Sequence, residues 1–182
     1  MVSVTQPLIK EHAKVREIMG ETRAHLSRFD LPGLRKSIRD IKDMLGTHVL
    51  KEESVLYLIG MKFLKADNTL VPSLFKEHHQ TSDRINTLLQ LLYSGRLTDA
   101  EDQIQQLTFL VLESLDHHFN EEETKVFPAL EKFIDEKTKE LILTRYATVA
   151  ADGFDELDRA PLISLPDMDN DDSGLSKAIG KA

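Results

Sequence analysis

Cysteine and tryptophan are absent from the 182 residues of the chain. Without cysteine there is no disulfide framework, no iron–sulfur cluster, no thiolate zinc site and no cysteine nucleophile. Any bound metal must therefore be held by His, Asp or Glu. Basic residues are in the minority, with 23 Lys and Arg against 31 Asp and Glu for a net charge of -8. Binding to phosphates needs a basic face, and no Lys/Arg cluster supplies one, so nucleic acid is not an expected partner. Long apolar runs are missing too. The longest, Val55 to Met61, contains Gly60 and falls far short of the roughly 20 residues needed to cross a bilayer. Lys10 and Glu11 arrive before any signal-peptide apolar region, so the expectation is a soluble, cytoplasmic protein with no membrane partner. What the chain has is one domain's length and 41% apolar residues, enough for a packed core.

Nothing alternates with period two for long enough to make a strand, whereas helix-period patterning runs through most of the chain. The fold class is all-α. A first amphipathic run opens at Pro7 after Thr5, a candidate N-cap, and carries Leu8, Val15, Ile18, Met19 and Leu26 to about Asp30. A second starts at Pro32, in a first turn where its missing N–H costs nothing, and ends at Ala66-Asp67-Asn68-Thr69. A third runs from about Val71 to Tyr93 and stops at Ser94-Gly95. The fourth opens on Thr98-Asp99-Ala100-Glu101, read as a capping box, and continues to about Ile134 with an interruption expected at Pro128. Four such segments with short polar links predict an antiparallel up-down-up-down four-helix bundle over residues 1–136. A short extra helix is expected over 137–158, packed across the bundle, and an acidic flexible tail over 159–182. Residues 151–182 hold eight acids and three bases, so most of the negative charge lies in the last fifth of the chain. Asp167, Asp169 and Asp171 imitate the start of a calcium loop, but Asp172 and Ala178 stand where that loop needs Gly and Glu.

The histidines carry the chemistry. Lys10-Glu11-His12 is matched by Lys76-Glu77-His78, and His48-x-x-x-Glu52-Glu53 by His118-x-x-x-Glu122-Glu123. His12 and His48 are 36 residues apart, His78 and His118 are 40, which reads as one helix-pair unit used twice. Residues four apart on a helix are rotated by only about 40° and rise about 6 Å. His48 therefore points with Glu52, and His118 with Glu122, so that each pair can grip one metal or bridge two. The first and third helices bring His12 and His78 to the same level, giving four imidazoles and two carboxylates facing inward. Such a histidine-rich set suits iron better than magnesium or calcium, which prefer all-oxygen sites.

On these residues the chain resembles the hemerythrin-like, or HHE cation-binding, family. The likeness covers about residues 8–134: His12 in the first helix, His48 and Glu52 in the second, Glu77-His78 in the third, and His118, Glu122 and Phe127-Pro128 in the fourth. It implies a non-haem di-iron centre of two Fe ions, bridged by Glu52, Glu122 and an oxo or hydroxo group, that binds or reacts with O2, NO or peroxide as a sensor or in oxidative or nitrosative stress defence. Oxygen-carrying members place a further His four residues after the third-helix His, which fills one iron; here that position is Ser82. Counting ligands then leaves each iron with room for one open position. The alternative is an iron-handling or storage-accessory protein docked through its C-terminal tail. The ending Gly174 to Ala182 is similar to the loading peptides of proteins packaged into encapsulin shells, a form of protein docking.

The remaining polar residues divide by rotation around their helices. His25 faces away from His12 by about 220°, and His79 and His117 lie about 100° from the ligands. Glu11 and Glu77 are candidates for orienting ligand imidazoles. Glu53, Glu121 and Glu123 read as rim or surface residues. Leu8, Val15, Val49, Leu56, Leu74, Ile85, Leu115 and Phe119 are expected to line the site.

Overall fold

The computed structural model describes residues 2–63, 70–94 and 100–152, and among them there is no strand. Helices α1 (Gln6–Ser27), α2 (Leu31–Lys51), α4 (Leu70–Tyr93) and α5 (Glu101–Glu121) are the four long rods. α2 runs on through a wide turn, Glu52–Leu56, into α3 (Tyr57–Phe63), and α5 runs on through Glu122–Val126 into α6 (Phe127–Phe133). α7 (Glu136–Asp152) is the described part of the extra C-terminal helix. α1 packs on α2 and α5, and α4 packs on the same two, which is the up-down-up-down ring expected of short antiparallel connections. The expected tail, the end of the extra helix beyond residue 152 and Thr98 of the capping box lie outside the described residues.

Local chemistry explains most helix ends. Asp30 caps α2 by accepting from the Gly33 N–H at 3.2 Å, and its other oxygen takes a 2.7 Å bond from His25 Nδ1. Phe29 turns the chain with φ of 51°, and the chain passes so close here that a Cβ on Gly33 would stand 2.1 Å from the His25 ring. Two expected caps are corrected. Thr5 makes no side-chain cap on α1, because its N–H and its hydroxyl both donate to Glu131 Oε1 at 3.0 Å. α5 starts at Glu101 with Ala100 before it, two residues later than a cap at Thr98 predicts.

The interruption expected at Pro128 belongs to a larger feature. Both wide turns are π-helical, each begins at the Glu of a His-x-x-x-Glu pair, and they lie 70 residues apart. The first contains no proline, so proline is not their common cause. A π turn absorbs one extra residue and swings the helix beyond it to a new face, and such turns concentrate at functional sites. Beyond them α3 and α6 meet, closely enough that a Cβ on Gly60 would lie 2.7 Å from Leu130.

Apolar side chains form two clusters. One joins Val15, Met19, Leu34, Ile38, Leu88 and Leu112 among the four long rods. The other joins Leu8, Tyr57, Phe127, Leu130, Ile142 and Tyr146, and so draws α7 into the core. His12, His48, Glu52, His78, His118 and Glu122 are all buried, with both carboxylates fully so.

Candidate metal centre

Each of the six expected ligands faces one small volume. The imidazoles meet in pairs, His12 Nε2 at 3.0 Å from His48 Nε2, and His78 Nε2 at 2.8 Å from His118 Nε2. Glu52 spans them, with Oε1 2.9 Å from His48 Nε2 and Oε2 3.3 Å from His78 Nε2. Glu122 offers Oε2, which lies 3.2 Å from His12 Nε2 and 3.6 Å from His118 Nε2. His78 and His118, rather than their neighbours, face this volume; His79 and His117 are exposed. His25 is spent on Asp30.

The outer nitrogen of every one of these rings is held by a carboxylate. His12 Nδ1 bonds Glu123 at 2.8 Å, His48 Nδ1 bonds Glu11 at 3.0 Å, His78 Nδ1 bonds Glu53 at 2.7 Å and His118 Nδ1 bonds Glu77 at 3.0 Å. A carboxylate only accepts, so Nδ1 donates, and a ring that gives up its other proton presents the Nε2 lone pair inward. Such partners fix the tautomer and the ring plane of metal-ligating histidines. Glu11 and Glu77 were expected in this role. Glu53 and Glu123, read from the sequence as rim residues, take it too. The readable signal was their recurrence at the same place in both halves of the repeat, where a merely solvated face has no reason to repeat.

Two Nε2 lone pairs cannot face each other across about 3 Å without a proton or a metal cation between them. Donors bound at about 2.1 Å and at right angles on one ion lie about 3.0 Å apart, which is the spacing found in both histidine pairs. The carboxylates point to the same conclusion. Both oxygens of Glu52 and Oε2 of Glu122 are buried and accept no hydrogen bond, a costly arrangement unless a positive charge compensates it. The field they create is visible in the imidazoles. Burial alone would depress His48, but the Glu52 charge and the bond to Glu11 outweigh it and raise its pKa to about 10. His78 is raised to about 9 by Glu52 and Glu53 against the same burial. Burial likewise opposes the charge of Glu52, and His48 and His78 overcome it, holding that carboxyl well below the usual range. A metal cation competes with protons for such a set.

Two groups with metal-holding geometry result, His12, His48, Glu52 and Glu122 on one side and Glu52, His78 and His118 on the other, with Glu52 in both. The donor set therefore fits a pair of adjacent metal ions. Tyr57 is the residue the sequence did not disclose. Its hydroxyl donates to Glu122 Oε1, the one inner carboxylate oxygen that has a partner. Burial, then the charges of Glu52 and Glu122, push its pKa well above the ordinary value, so the hydroxyl keeps the proton it donates. On a straight helix the fifth residue after Glu52 points elsewhere. The π turn places it where the fourth would stand.

Of the expected lining, Leu8, Val15, Leu56, Leu74, Ile85, Leu115 and Phe119 are buried and Val49 is half-buried. Phe119 lies flat on the His12 ring at a centroid distance of 4.0 Å. A cavity of about 280 Å³ reaches the centre from one side, between α2, α4 and α5, with His48, His78 and His118 in its wall. Among the described residues no helix is long and apolar enough to cross a membrane.

Searches of curated proteins and of solved structures returned no match. The family model described as Hemerythrin HHE cation binding domain matches residues 3–130, the span that contains all six inward side chains and all four carboxylates behind them. The chain belongs to the hemerythrin HHE cation-binding family.

Proposed function

We propose that the protein is a non-haem di-iron protein that binds or reacts with a small molecule such as O2, NO or peroxide. The observation that carries this reading is the set of three buried carboxylate oxygens without hydrogen bonds, enclosed by four Nε2 atoms at cis-ligand spacing. His12, His48, Glu52 and Glu122 would hold one ion and Glu52, His78 and His118 the other. Imidazole nitrogen with carboxylate oxygen is a donor set that iron accepts in two oxidation states and that calcium and magnesium do not favour. When bound, the irons would supply one-electron redox chemistry and open positions for a small ligand.

The chain's own residues account for the rest. Glu11, Glu53, Glu77 and Glu123 fix the four rings before any metal arrives, so little ordering is left for binding. Phe119, Leu115 and Ile85 exclude bulk water from the inner wall, which lowers the local dielectric around the charges there. Their apolar surfaces admit uncharged diatomics readily.

The test is metal content. Protein purified without chelator from iron-replete cells, or loaded anaerobically with Fe(II), should carry two irons per chain by plasma mass spectrometry. The loaded protein should then show an absorption band that shifts reversibly on exposure to O2 or NO. Absence of a stoichiometric transition metal after loading would overturn the reading.

A further inference from the structure

The two halves of the repeat align at their Glu-His and His-x-x-x-Glu-Glu motifs, so a departure beside an aligned histidine or carboxylate marks a place where the two metal positions differ. In the second and fourth arms the offset is 70 residues; between the first and third it is 66. Departures of two kinds fall on the centre.

The first concerns the wall. Phe119 covers the His12 ring, and its counterpart is Val49. Arg16 follows His12 by four residues, reaches Glu123 at 2.7 Å and lies over the Phe119 ring at 5.3 Å. Its counterpart, four residues after His78, is Ser82. On the His12 side a phenyl ring and a guanidinium fill the space. On the His78 side a valine and a serine leave it open, and both line the cavity of about 280 Å³ together with Lys42, Leu45 and His79. His78 and His118 are both in that wall, whereas of the other pair only His48 is, beside Phe119, and His12 is not.

The second departure concerns the carboxylates. Tyr57 stacks on His78 and donates to Glu122, whereas its counterpart Phe127 stacks on His12 and has nothing to donate. Glu52 therefore keeps two free oxygens, one toward each histidine pair. Glu122 has one, closer to His12 than to His118. Four residues converge on the His12/His48 position and three on the His78/His118 position.

Resting on the di-iron reading, we propose that the two positions are inequivalent, that an external ligand enters at the His78/His118 position from the cavity beside Ser82 and Val49, and that Tyr57 secures the difference by holding Glu122 toward the other. The volume exceeds what a diatomic needs, so the entry also admits small anions and small organic hydroperoxides. Tyr57 acts through Glu122 and is a positioning residue.

Azide is the probe, and the full chain loaded with 57Fe and oxidised is the sample. Mössbauer spectra should resolve two quadrupole doublets of equal area, of which azide shifts one. In Tyr57→Phe the two should approach each other with both irons retained. Val49→Phe and Ser82→Arg transplant the closed half onto the open one; each should weaken azide binding at least tenfold at unchanged iron content, with Arg at position 82 facing Glu53 as Arg16 faces Glu123. Fewer than two irons in the unmodified chain would sink the di-iron reading itself. Two irons with a single doublet, or azide shifting both doublets alike, would overturn the inequivalence alone. Azide affinity within twofold of the parent in both cavity variants would overturn the entry route. A tyrosinate-to-iron charge-transfer band that vanishes in Tyr57→Phe would overturn the positioning role, because Tyr57 would then be a ligand.

Discussion

Two apolar layers flank the buried histidines and carboxylates, and they are closed in different ways. The layer around Met19, Ile38 and Leu88 lies among unbroken helices, and its buried hydroxyls, on Thr22, Ser37 and Thr108, bond carbonyls of their own helices. The layer around Tyr57, Phe127 and Leu130 lies beyond the π turns and takes in residues of α7. There the links are long-range. Ser3 and Thr5 at the start of the chain meet Glu131, which also pairs with Lys139 of α7 at 3.1 Å. The contrast shows what a π turn does to a bundle. Up to Glu52 and Glu122 one helical period serves both packing and ligation. Past them the faces have rotated, the four rods no longer suffice as walls, and a further helix and the N-terminal segment complete the core.

The largest change should follow from removing the residue that both histidine pairs share. Glu52→Ala deletes a donor from both metal groups, so iron per chain should fall to one or less by mass spectrometry, with the fold retained by circular dichroism. Truncating one side chain in each layer sharpens the contrast. Phe127→Ala and Met19→Ala should each destabilise the chain by about 2–5 kcal/mol in urea unfolding. Only Phe127→Ala should also lower iron affinity, because its ring stacks on His12 at 5.7 Å. Equal iron retention in both would erase the distinction drawn between the layers.

Glu131→Gln loosens the long-range links with a smaller effect, about 1–3 kcal/mol, the worth of hydrogen bonds to a charged group. Its pH dependence has a definite sign. Burial opposes the Glu131 charge, and the bonds from Ser3, Thr5 and Lys139 overcome it, lowering the pKa from 4.5 to about 2. A carboxyl lowered on folding contributes stability that is present above its unfolded pKa and lost as pH falls through the folded one. The stability gap between parent and Glu131→Gln, followed by urea unfolding, should therefore be full at pH 6 and close progressively between pH 4.5 and 2. The smallest effect belongs to the turn at the far end. Gly33→Ala must push aside the flexible ends of His25 and Asp30, a half-buried pair, so its urea midpoint should fall least of the set, with iron content unchanged.

Much of this was legible before any coordinates. His48 with Glu52 and His118 with Glu122 lie four apart, and helix geometry alone turns them to one side. The doubling of Glu-His and His-x-x-x-Glu-Glu announced two equivalent halves. Tyr57 escaped because its place depends on a π turn, and no apolar period signals one when the arm without proline has it as well. Glu53 and Glu123 escaped for a different reason. Each sits about 100° from its neighbouring ligand on its own helix and works on a ring carried by another, Glu53 on His78 and Glu123 on His12.

The chain's sequence by itself determined that helices form, how many long rods there are, and which six side chains are candidates to turn inward, because these follow from spacings within a few turns of one helix and from a motif used twice. Which carboxylate holds which imidazole, where the helices widen, and which side of the centre stands open were decided only by tertiary structure. Those outcomes join residues as far apart as His12 and Glu123, and depend on whether Phe119 and Arg16 or Val49 and Ser82 stand against a given ring, a matter of packing between helices that no local period encodes.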